Sequence, residues 1–165
     1  MNIRLAFLYA IVIVVVSACG GASGPEIQVE YPWVRAATML EMPNQGDEGM
    51  SSGSEMGGTM GGSNSAAYMI ITNQGNEGDR LITVSSDVAQ AVEIHISEMK
   101  DGVMTMHQVE AVDVPARGQA ELKPGGLHVM LIGLKRDLNS GDQVKLTLGF
   151  ETSGEVVIEA EVRTP

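Results

Sequence analysis

The sequence has 165 residues, a formal net charge of −11 and a single cysteine. This length suits one domain with extensions. The acidic excess argues against a nucleic-acid or anionic-membrane ligand and fits a domain that attracts cations or a basic partner.

In chain order, Arg4 is followed by an almost unbroken apolar run, Leu5 to Val16. A bilayer span takes about 20 residues, so this run is too short to cross a membrane but matches the core of a signal peptide. Val16-Ser17-Ala18-Cys19 follows and resembles a bacterial lipobox. We expect residues 1–18 to be removed and Cys19, the only thiol, to carry lipid, which also accounts for an otherwise unpaired exported cysteine. The expected location is the extracytoplasmic side of the cell envelope, with the membrane engaged through the anchor alone. Removing Arg4 leaves nine basic residues against 21 acidic ones, a net charge of −12.

Residues 19–25 form a small-residue tether, and 26–165 form the folded domain. Ile27-Gln28-Val29-Glu30 alternates as a strand does, and Trp33-Val34-Arg35 continues it after Pro32. Residues 39–64 then contain no Val, Ile, Phe or Tyr but are crowded with Gly, Ser, Met and acids. Such a composition buries no core and reads as a flexible Met-rich insertion. Beyond it the strand signals are Ala66–Thr72, Arg80–Val84, Ala91–Ser97, Val103–Val109, Gln119–Leu122, Leu127–Gly133, Gln143–Phe150 and Glu155–Arg163. Turn formers separate them, among them Asp101-Gly102 and Lys123-Pro124-Gly125-Gly126. Many short strands at this spacing predict an all-β protein, an antiparallel β-sandwich whose core is Val, Ile, Leu and Met.

Chemistry concentrates at two places. If Asp101 and Gly102 close a hairpin, Lys100 faces Val103, Met99 faces Met104, Ser97 faces Met106 and His95 faces Gln108. Residues two apart share a face, so His95, Ser97, Met99, Met104 and Met106 lie on one side, and Val92, Ile94 and Ile96 on the core side. Met106 is then diagonal to His95, about 7–8 Å away between backbones. In the Leu127–Gly133 strand, His128 and Met130 share a face while Val129 and Leu131 point the other way. Two imidazoles and two thioethers form a soft, uncharged donor set that selects Cu(I) over hard cations. Zinc sites normally use Cys, His and carboxylate. Neutral donors also bind without the proton release that a thiolate site requires.

Ten residues separate His95 from Met106, 21 separate Met106 from His128, and one separates His128 from Met130. With Ala67-Tyr68-Met69, Val92-Glu93-Ile94-His95, Asp101-Gly102-Val103-Met104-Thr105-Met106, Leu122 to Met130 and Gly133-Leu134-Lys135-Arg136, this spacing resembles the periplasmic copper chaperone family PCuAC over roughly Ile27 to Val162. The resemblance implies a cupredoxin-like, Greek-key sandwich binding one Cu(I) near its surface through His95, Met106, His128 and Met130. It also implies delivery to the dinuclear copper centre of a haem-copper oxidase, with an oxidase copper subunit as partner and the chaperone a monomer.

Other readings stay beside this one. Met104 is a neighbour, a spare ligand or packing; Met99 is similar, and its place beside the turn implies exposure. His107 has the wrong parity to join the metal. The methionines of 39–64 are either part of a plain insertion or capture copper. Lys135 and Arg136 are solvated or touch a partner. A blue-copper electron carrier requires a Cys ligand, and the one Cys is assigned to the anchor. An enzyme is disfavoured because no nucleophile–base pair is evident. Copper storage or scavenging without a dedicated acceptor is the alternative function, and a structural lipoprotein the blandest one.

Overall fold

The structure, a computed structural model, describes residues 24–38, 63–100 and 102–164. The expected signal peptide, Cys19, the methionines of the insertion and Asp101 lie outside the described residues. Ten strands follow in order: β1 (Ile27–Arg35), β2 (Ser65–Asn73), β3 (Asp79–Ser85), β4 (Ala89–Lys100), β5 (Val103–Gln108), β6 (Val112–Val114), β7 (Gly118–Leu122), β8 (Leu127–Leu134), β9 (Gln143–Phe150) and β10 (Gly154–Arg163). They form one folded-over sheet in the order β5-β4-β8-β2-β1-β10-β9-β3-β6, with β7 pairing β2 beyond the end of its contact with β8. No helix is present among the described residues.

A single apolar cluster holds the layers together. Alternate residues of β9 (Val144, Leu146, Leu148, Phe150) meet Ala67, Met69 and Ile71 of β2 and Val129 and Leu131 of β8 in that cluster. The period of two that marks these strands in the sequence is the period of their burial, so the aliphatic sandwich core is as expected.

Two details differ from the expectation. The sheet is not wholly antiparallel, because β1 runs parallel to β10, pairing Trp33 with Glu161 and Arg35 with Arg163. Such a pairing joins the two ends of the domain and depends on the path of the whole chain, so no local pattern announces it. Three-residue β6 is also new, since Val-Asp-Val is too short for its alternation to stand out. β1 does run through Pro32, by means of a register shift between Glu30 and Trp33 where Tyr31 takes φ 51°. A bulge is where a strand tolerates a residue without an N–H.

Two buried polar side chains tie the far end of the sandwich. Asn73 is fully buried. Its Oδ1 accepts the N–H groups of Glu26 at 3.0 Å and Gly75 at 2.9 Å, and its Nδ2 donates to the carbonyl of Glu77 at 2.7 Å. Asp79 sits under the β9–β10 turn and accepts the N–H groups of Arg80 at 2.8 Å and of Thr152 and Ser153, both at 2.9 Å, together with the Ser153 hydroxyl. Burial alone raises the pKa of this carboxyl, but the bonds from the Ser153 hydroxyl and the three N–H groups outweigh it and hold the pKa below its ordinary value.

A folded-state pKa below the unfolded one means the stabilisation is fully present above the unfolded value and is lost as pH falls through the folded value. Asp79→Asn is therefore expected to lower the free energy of unfolding by about 1–3 kcal/mol at neutral pH, because an amide presents N–H where the turn needs an acceptor. Urea unfolding measures this. The gap to the wild type should narrow as pH drops below 3.8, the ordinary value for the group. A constant gap across that range would remove Asp79 from this role.

Candidate metal centre

The hairpin register is the one the sequence implies: His95 opposite Gln108, Ser97 opposite Met106, Met99 opposite Met104 and Lys100 opposite Val103. On its other side β4 pairs antiparallel with β8, and that register places His95 directly opposite His128 and Glu93 opposite Met130. Directly opposed residues share a face. Glu93, His95, Ser97, Met106, His128 and Met130 therefore all project from one surface of three adjacent strands, while Ile94, Val129 and Leu131 enter the core from the other.

The His95 and His128 rings lie with centroids 6.0 Å apart, tilted by 42°. Met106, His128 and Met130 line an open cleft of about 330 Å³, whose floor and rim include Tyr68, Ser97 and Gly125. His95 sits beside this cleft rather than in its lining. Exposure grades across the set. His128 is 7% exposed and the His95 side chain 13%, whereas Met106 is 51% exposed. Aromatic rings flank His128 on the outer face. Tyr68 stands 6.4 Å from it, centroid to centroid, and Trp33 stacks on Tyr68 at 4.5 Å.

Each imidazole is held through one nitrogen. His128 Nδ1 lies 3.0 Å from the carbonyl of Gly126, which accepts its hydrogen, so Nε2 keeps a free lone pair. The same carbonyl accepts the N–H of Ser97 at 3.1 Å, pinning the β7–β8 turn to β4. Gly125 in that turn takes φ 77°, a left-handed conformation open to glycine at no steric cost. His95 Nε2 lies 2.8 Å from a Glu93 carboxylate oxygen, which can only accept, so Nε2 carries the proton. That leaves His95 Nδ1 as a lone-pair nitrogen. It is buried, and among the described residues it is the one side-chain nitrogen or oxygen so buried that lacks a hydrogen-bond partner. An unpaired buried acceptor is costly unless something else occupies it. A soft cation bound by nitrogen lone pairs and thioethers is such an occupant. No three His, Cys, Asp or Glu side chains converge among the described residues.

All four residues singled out in the sequence thus occupy one face, with Met106 at the rim. His107 points to the opposite face, as its parity requires, and is exposed. Met99 is exposed, as its place beside the turn implies, and Met104 is exposed rather than packed. Sequence reasoning passed over Glu93, although its position two residues before His95 on the same strand was a usable signal. The stacking of Trp33 on Tyr68 had none, because those residues meet only through the β1–β2 pairing.

The family described as "Putative lipoprotein LpqE-like" matches residues 27–162. Protein RP573 of Rickettsia prowazekii is 33% identical over 101 residues, 61% of this chain and 56% of that protein. The chain therefore matches little more than half the length of that relative. Among solved structures, the copper-bound PCuAC domain from PmoF2 superposes with a TM-score of 0.60 at 28% identity, covering 84% of this chain and 93% of that domain. The Cu(I) form of DR1885 from Deinococcus radiodurans gives 0.52 at 26% identity, over 82% of this chain and 78% of that one. The resemblance to PCuAC domains read from the residue spacing therefore holds at the level of the fold.

The two hydrogen bonds make a prediction for the copper-free protein. Above the pH at which the imidazoles are neutral, long-range proton–nitrogen NMR should find His95 protonated at Nε2 and His128 protonated at Nδ1. The same tautomer on both rings would mean that the two are not held as described.

Proposed function

This chain belongs to the LpqE-like family, and on that premise we propose that it is an extracytoplasmic Cu(I)-binding metallochaperone. Cu(I) is its cargo, held by His95 through Nδ1, His128 through Nε2, and the thioethers of Met106 and Met130. The observation that carries this reading is the buried, unpartnered Nδ1 of His95, which faces no hydrogen-bond donor yet shares a surface with three further soft donors. The PCuAC domains it resembles include one described as copper-bound and one described as the Cu(I) form, which supports the choice of metal.

The arrangement suits holding and releasing. Four neutral donors leave the ion its full positive charge, and the Glu93 carboxylate, acting through the His95 ring, lies on the side where it offsets that charge. Exposed Met106 gives an incoming ligand a way to the ion without unfolding the site. An acceptor with thiolate ligands adds a charge attraction this site lacks, so copper moves to it downhill. The resemblance to the chaperone family names the dinuclear copper centre of a haem-copper oxidase as that acceptor. The strongly acidic chain would favour docking on a basic surface and make the encounter rate fall with salt. The protein acts as a carrier, not an enzyme, because the four donors fill the coordination sphere and leave no place for a substrate. The family description as a lipoprotein supports anchorage through Cys19 after removal of residues 1–18.

Anaerobic titration against a chromogenic Cu(I) competitor should give one tight equivalent per chain, and X-ray absorption a mixed nitrogen and sulfur shell. Met106→Leu and Met130→Leu keep the apolar bulk, so the fold should persist while affinity falls by at least about tenfold, the scale at which even outer partners of metal ligands act. The loaded protein should then give up its copper to the apo copper domain of the oxidase from the same cell. A shell of nitrogen and oxygen alone rejects the methionines. Copper retained against excess acceptor rejects delivery and leaves storage as the function.

Cys19→Ser should release the protein from membranes or block its processing. Fractionation that finds the Ser variant still membrane-bound and normally processed would remove the lipid anchor.

A further inference from the structure

The distal half of the β4–β5 hairpin stands apart from the sandwich. Pairing of β4 with β8 stops at Ile96 opposite Leu127, whereas β4 and β5 stay paired out to Lys100 opposite Val103. β5 is the edge of the sheet, and all of its residues are exposed. Both faces of this two-stranded ribbon therefore meet solvent, yet they differ in chemistry. One carries Glu98, Lys100, Val103, Thr105 and His107. The other, continuous with the metal centre, carries Ser97, Met99, Met104 and Met106. Among the described residues seven large hydrophobic side chains are exposed, and three of them are these methionines, at 65%, 55% and 51%.

Exposed apolar groups gathered on one face call for a ligand or a partner. A protein partner is served by any aliphatic residue, and none is present on this face. Its apolar members are all thioethers, the side chain that adds a soft metal donor to its apolar bulk. Their placement suits convergence. Met99 and Met104 are directly opposite, which puts their Cβ atoms about 4.5–5.5 Å apart. Met104 and Met106 are two residues apart on one strand, or about 7 Å. Side chains with three rotatable bonds span both gaps.

We propose that Met99, Met104 and Met106 form a second, weaker Cu(I) site that loads the His95/Met106/His128/Met130 centre. The proposal rests on the Cu(I) reading of that centre. Met106 belongs to both sets, so the ion passes by ligand exchange. The bonds from copper to the Met99 and Met104 sulfurs break as bonds to the two imidazole nitrogens and the Met130 sulfur form. Copper stays Cu(I) throughout, and neither thioethers nor neutral imidazoles release a proton. Three thioethers bind more weakly than two thioethers with two imidazoles, which gives the transfer its direction, and exposure of the ribbon lets it take copper from solution or from a small-molecule complex.

The test uses the full chain under anaerobic conditions, with Cu(I) supplied from a weak chromogenic complex, and compares the wild type with Met99→Leu/Met104→Leu. Leucine keeps the apolar surface and removes the sulfur. With methionine methyl groups labelled, the Met99 and Met104 signals should shift as Cu(I) is added beyond the first equivalent, the second ion then resting on those two sulfurs alone while Met106 stays with the first. The double variant should bind the first equivalent with unchanged affinity, hold one weak equivalent fewer than the wild type, and load at least about tenfold more slowly. Any copper held by residues 39–64 contributes equally to both proteins and cancels. A tight first equivalent with unmoved methyl signals, or equal loading rates, overturns the proposal alone. The absence of a tight equivalent in the wild type overturns the four-residue centre and this proposal with it. Normal loading by the Leu variant, combined with transfer blocked only by Met99→Glu/Met104→Glu, would make the ribbon a protein-docking face and also overturn the proposal.

Discussion

The antiparallel pairing of β4 with β8 places His95 directly opposite His128, and the rest of the site depends on it. A slip of one residue in either strand would turn its histidine into the core and send an aliphatic residue outward. The register is held from both faces. Ile94, Val129 and Leu131 fit the aliphatic core only in this alignment, and on the outer surface the Gly126 carbonyl accepts both the Ser97 N–H and the His128 Nδ1 hydrogen. Core packing and site geometry therefore constrain one another. The carbonyl that orients one imidazole also fixes the turn against the strand that bears the other.

On this frame the site combines order with access. The two imidazoles are nearly buried, each oriented by a hydrogen bond at one ring nitrogen, so little would be left to organise for the proposed ion. Of the two thioethers on this face, that of Met106 is half in solvent. Oriented imidazoles beside an exposed thioether suit the proposed carrier, in which the ion must be recognised without being sealed in. The cost is a buried lone pair on His95 Nδ1 that protein atoms leave unsatisfied. Away from it, the sandwich is held by the aliphatic core and by the Asn73 and Asp79 networks at the end where β3, β6 and the β9–β10 turn meet.

The amino-acid sequence by itself determined the longer strands, though not three-residue β6, and which face their side chains take, since both follow from a period of two and from turn residues such as Gly102 and Gly125. It also determined the hairpin register from Lys100–Val103 to His95–Gln108 and the soft character of the donor set. Only the tertiary structure decided that β4 lies beside β8 and that β1 lies parallel to β10. Both pairings join segments far apart in the chain, and alternation is the same whichever neighbour a strand acquires. The same long-range pairing decided that Tyr68 stands beside His128, with Trp33 against Tyr68, and that the outward continuation of β4 and β5 stands free of the sheet. What Glu93 does for His95 lies between the two. Its parity was legible, but the hydrogen bond that assigns the proton exists only once the opposing strand and turn have fixed where the ring lies.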